Sequence, residues 1–113
     1  MGKYVNAVDL ADPSLVITES HCAEADVFVD SQLWEREIDP ADITLPNTLL
    51  TSIAGYWAKR EAALEGAVGV ETILFKKSVE FEKNAVRLAA TISRKSLGIE
   101  TSSSYGSITI GRG

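Results

Sequence analysis

The sequence predicts an all-α protein, a small bundle of three main helices with a short N-terminal helical arm and an extended C-terminal tail that adds one β-strand in an assembly. Three observations carry this expectation. Apolar residues recur at three- and four-residue steps through three long stretches that hold almost no glycine or proline. Start and stop signals bracket those stretches: Thr18 before the first, Pro46 at the opening of the second, Gly66 and Gly98 behind the second and third. Strand character is concentrated in Ser107-Ile108-Thr109-Ile110 near the end of the chain. At 113 residues the chain fits one domain, divided into a helical body over residues 1–99 and a docking tail over 100–113.

Tyr4 to Leu15 reads as an extended entry followed by one helical turn. Asn6 is the candidate N-cap, Val8 and Leu10 supply apolar contacts, and Asp12-Pro13 closes the turn. Leu15-Val16-Ile17 then leads to Thr18, placed to cap a first helix over about residues 19–37. In that helix Cys22, Ala25, Val29 and Leu33 form an apolar stripe that Phe28 and Trp34 widen. Asp39-Pro40-Ala41-Asp42 breaks it. Pro46 suits the first turn of a second helix reaching about Glu65, with Thr44 or Leu45 leading in. Leu49, Leu50, Ile53, Ala54, Trp57, Ala58 and Leu64 make this the most buried helix of the bundle.

After the apolar linker Gly66-Ala67-Val68-Gly69-Val70, a third helix is expected over about residues 71–97. Unbroken, it would span on the order of 40 Å and project beyond the core. Its apolar side is Leu74, Phe81, Ala85, Leu88, Ala89 and Ile92; Lys76, Lys77, Lys83, Arg87, Arg94 and Lys95 hold six of the eleven basic residues. Thr101-Ser102-Ser103-Ser104 is a linker by composition. A lone strand cannot satisfy its own backbone groups, so Ser107 to Ile110 must fold back on the body, stay disordered until assembly, or add to a partner's sheet.

The net charge of −5 is unevenly spread. Residues 1–42 carry ten acids against two bases, a balance of −8, whereas the remainder carries nine bases against six acids, or +3. Two readings stand: solvated faces paired within one subunit, or head-to-tail association of an acidic face with a basic one. An acidic protein is a poor primary ligand for nucleic acid. No apolar run approaches the ~20 residues needed to cross a bilayer, so no membrane partner is expected, and the single Cys22 forms no internal disulfide.

The residues offer little chemistry. His21 and Cys22 are sequence neighbours about 100° apart on a helix, and Cys22 lies on the apolar stripe as a packed thiol. Asp26 with Asp30, or Glu80 with Glu82, are what any acidic helix surface offers; Gly66 and Gly69 lack the strand and Gly-Lys-Ser/Thr of a phosphate loop. No catalytic residue, metal ligand or cofactor-binding residue is expected. The candidate sites are contacts: a docking tail of Tyr105, Ile108, Thr109, Ile110 and Arg112, and a subunit interface of Trp34, Val68, Val70, Lys76, Lys77, Lys83 and Arg87.

The order of elements resembles the small head-tail connector proteins of tailed bacteriophages, also called head-completion or adaptor proteins. The features that carry the resemblance are Tyr4 to Leu10, the capped stretch Thr18 to Leu33, Pro46 with Leu50 to Trp57, and Ala85 to Gly98. The resemblance implies a homo-oligomeric ring, commonly a dodecamer, docked beneath the portal protein and followed by a stopper or tail protein. Genomic DNA would pass through without specific binding. It further implies a structural virion protein of the neck, assembled in the bacterial cytoplasm, without enzymatic activity or cofactor. The alternative is a small non-viral helical adaptor or regulatory module that binds one protein through its C-terminal strand.

Overall fold

The computed structural model describes residues 3–10, 12, 15–67 and 72–98. Three helices form the body: α1 (Glu19–Glu35), α2 (Thr48–Gly66) and α3 (Ile73–Ala89). They run up, down and up, with α2 packed against both of the others. The fold is all-α, as the apolar periodicity predicts, and no strand occurs among the described residues.

α1 begins where a side chain supplies the missing acceptor. His21 Nδ1 accepts the Thr18 N–H at 3.0 Å, the backward half of a capping box in which histidine takes the usual place of Glu or Gln. The helix stops at Glu35, short of the expected 37. Glu37 adopts the left-handed conformation (φ 58°), its N–H donating to Trp34 O while Ile38 N–H donates to Leu33 O. These two bonds define a Schellman motif, and Ile38 is buried beside Leu33 as that motif requires. Cys22, Ala25, Val29 and Leu33 are fully buried, as expected. Trp34 is 58% exposed and does not widen the stripe, because at seven residues from Val27 it shares that residue's solvent face.

α2 is capped by Asn47, whose side chain accepts Leu50 N–H at 3.1 Å; Pro46 precedes the cap instead of sitting in the first turn. Leu50, Ile53, Ala54, Gly55 and Ala58 are buried in its centre, with Ala62 and Ala63 nearer the end. Gly55 lies under the arm at close range: a Cβ there would stand 3.2 Å from Leu10 Cδ2, so that the leucine side chain would have to shift by a few tenths of an ångström. Leu10 thus seats the N-terminal 3-10 turn, Ala7–Leu10, against α2, whereas Val8 is 83% exposed and makes no core contact. Asn6 precedes that turn but does not cap it with its side chain. Its carbonyl accepts Asp9 N–H, and its Oδ1 has no partner among the described residues.

The largest departure from expectation concerns α3. Thr72 caps it through Phe75 N–H, and it ends at Ala89 instead of continuing to Leu97. Thr91 turns its hydroxyl back onto Leu88 O, and Ser93 and Ser96 exchange reciprocal N–H···Oγ bonds that start a separate final turn. Short hydroxyl side chains compete with the helical ladder in this way. The chain consequently leaves the helical path and stays against the bundle instead of projecting from it. Ile92 and Leu97 return to the core, Asn47 Nδ2 reaches Leu97 O at 3.4 Å, and Arg94 donates to Glu37 O. Gly98, at φ +75°, occupies the left-handed position that ends this turn.

Candidate functional site

Polar contacts that hold the N-terminal arm are built on α1. The Asp26 carboxylate accepts the backbone N–H groups of Lys3 and Tyr4, at 2.6 and 3.1 Å through its two oxygens. One turn further on, Asp30 accepts the Tyr4 hydroxyl and pairs with the Lys3 ammonium at 3.3 Å. The i, i+4 spacing places both carboxylates on one helix flank, so a pair indistinguishable in sequence from ordinary surface acids acts as a two-step clamp. Tyr4 is buried. That burial, the bond to Asp30 and the negative charge of both aspartates all push its hydroxyl pKa far above the ordinary value.

His21 is buried at the opposite end of α1. With Nδ1 accepting from Thr18, Nε2 carries the proton and donates to Glu65 Oε1 at 3.0 Å, joining the start of α1 to the end of α2. Burial pushes the Cys22 thiol pKa up, with Glu19 and Asp26 adding to the effect, so the sulfur stays a protonated core group. His21 and Cys22 are held in separate structural roles. Among the described residues, no cluster of three or more His, Cys, Asp or Glu is arranged to hold a metal ion.

Across the bundle, Phe28 of α1 stacks on Trp57 of α2 with ring centroids 3.8 Å apart and planes 5° from parallel. The Arg60 guanidinium lies 4.4 Å from the Trp57 ring and pairs with Glu61 and with Glu82 of α3, both at 2.8 Å. This chain of contacts ties α1, α2 and α3 together. It also places Trp57 at the half-buried edge of the core, where cation–π contact adds to packing.

The expected contact residues divide into four groups. Trp34 is exposed on α1. Lys76, Lys83 and Arg87 are exposed on α3, gathered around Val79 and Val86, which are 40% and 51% exposed. Lys77 is half-buried and stands off this group. Val68, Val70 and the tail residues Tyr105, Ile108, Thr109, Ile110 and Arg112 lie outside the described residues. Val79, Glu82, Lys83, Val86 and Arg87 line a shallow groove of about 480 Å³. Sequence reading missed the two valines and Val27, exposed at 65% on α1. The available signal was that all three fall on the side of their helix opposite its apolar stripe.

α1 and α3 therefore each present a solvent face with apolar residues seven apart, Val27 with Trp34 and Val79 with Val86. The first is flanked by Glu24 and Glu35, the second by Lys76 and Arg87. Glu24, Glu35 and Lys76 make no ion pair among the described residues. No helix of the described residues is long and apolar enough to cross a membrane. No family model, curated protein or solved structure matches the chain.

Proposed function

We propose that the chain is a non-enzymatic structural subunit of a head-tail connector, one copy of a ring that docks beneath the portal of a tailed bacteriophage and links capsid to tail. The observation that supports this is the pair of apolar-centred helix faces of opposite charge on the two outer helices. An isolated monomer gains nothing from such faces, whereas repeated copies bury them in a closed array. The C-terminal tail is the portal-docking element in this reading, and Tyr105, Ile108, Thr109, Ile110 and Arg112 supply its contacts.

The test is to mix the full chain with a tailed-phage portal ring from the same genome and image the product by electron microscopy. A ring of copies seated on the outward end of the portal is the expected result. A single copy bound to one partner chain, or no binding to the portal at all, overturns the reading.

A further inference from the structure

The two outer faces match in detail beyond their net charge. Residues 24, 27, 31, 34 and 35 of α1 and residues 76, 79, 83, 86 and 87 of α3 occupy the same relative positions on their helices. Each face has apolar residues two turns apart, about 10 Å along the axis. At about 100° per residue, Glu24 and Glu35 fall on one flank of the Val27–Trp34 line, and Lys76 and Arg87 fall on the same-handed flank of the Val79–Val86 line. The acids of one face are thus the bases of the other.

Handedness then selects a direction. When two helices pack antiparallel their same-handed flanks meet; when they pack parallel, opposite flanks meet. Antiparallel packing sets Glu24 and Glu35 against Arg87 and Lys76. Parallel packing would turn both acids toward the α3 flank that carries Glu82. On the remaining flanks of the antiparallel arrangement Asp30 faces Glu82, and both are already paired within their own chain, with Lys3 and Arg60.

We propose that α1 of one copy docks antiparallel on α3 of a second copy, Val27 against Val86 and Trp34 against Val79, with Glu24 beside Arg87 and Glu35 beside Lys76. The occupant of the α3 groove is another copy of this chain. The contact is heterologous, so each copy uses a different face toward each neighbour. This deepens the reading of the chain as an assembly subunit and rests on it.

The experiment uses pairs of full-length single-substitution proteins, with native Cys22 retained because it is buried and the unsubstituted chain as the oxidation control. Val27→Cys mixed with Val86→Cys, and Trp34→Cys mixed with Val79→Cys, are oxidised both in free solution at low salt and on the portal. Both mixtures should give cross-linked dimers, while Val27→Cys mixed with Val79→Cys and each variant alone should give on the order of ten-fold less. Raising salt to about 0.5 M should reduce the free-solution yield several-fold, because exposed pairs are screened over less than 10 Å.

A charge exchange makes the test independent of the introduced thiols. Glu24→Lys with Glu35→Lys should abolish association, and mixing that protein with one carrying Lys76→Glu and Arg87→Glu should restore it. Rings on the portal without either cross-link overturn the docking while leaving the connector reading intact. Both cross-links without any ring on the portal leave the docking standing and overturn the connector. A thiol at Val86→Cys that is blocked in the monomer and freed by removing residues 101–113 identifies the chain's own end as the occupant and overturns the proposal.

Discussion

Asp26 joins two parts of the chain that sequence alone leaves unconnected. Its carboxylate accepts two successive backbone N–H groups, and hydrogen bonds to a charged partner contribute more than neutral ones. Asp26→Ala should therefore destabilise the fold by about 2 kcal/mol, measured by urea unfolding, with loss of order confined to the arm. Tyr4 supplies a pH dependence of definite sign. Its pKa is raised in the fold, so the folded state holds the proton over a range in which the unfolded chain releases it. The contribution is complete below the unfolded value of about 10 and is lost as pH rises above it. Tyr4→Phe should flatten the alkaline fall in stability, and Cys22→Ala should remove a further part that begins near pH 8.5. The core stripe of α1 was legible from spacing because burial follows the helical period; the clamp was not, because its partners are backbone N–H groups 22 and 23 positions away.

At the level of elements, helix ends were legible only where one residue decides them. Thr18 announces its role through chemistry that acts locally, whereas Gly98, expected to stop the third helix, instead closes the separate turn beyond Ala89. Glu37 gives no such signal: a glutamate in the left-handed region reflects the pull of Ile38 into the core, where it is almost wholly buried. Replacing it with glycine should relieve about 0.5–1 kcal/mol of backbone strain, read as a higher midpoint of thermal unfolding. The end of α3 shows the same limit from the other side. Ala89 to Leu97 has adequate helix propensity, yet Ser93 and Ser96 cap each other and Ile92 and Leu97 have core positions to fill. Ser93→Ala should cost about 1 kcal/mol through loss of this cap, and circular dichroism should show helix content unchanged or raised as α3 extends. A proline at the same position would instead keep α3 short.

Across the whole molecule, the core and the surface are organised by different parts of the sequence. The core gathers residues from Tyr4 to Leu97, with Ala89, Ile92 and Leu97 closing it against the end of α1 and the start of α2. The acidic flank of α1 and the basic flank of α3 stay at the surface on separate helices. Folding and association are therefore separable by mutation, since exposed substitutions leave the core packing intact. Removal of residues 101–113 is the sharpest use of this separation. The described core ends at Leu97, so the shortened chain should unfold at the same temperature as the full chain, within about 1 °C by calorimetry. If the tail docks on the portal, the same protein should no longer cap portal rings in electron micrographs, while the antiparallel contact between copies survives. A marked fall in unfolding temperature would instead make the tail part of the body.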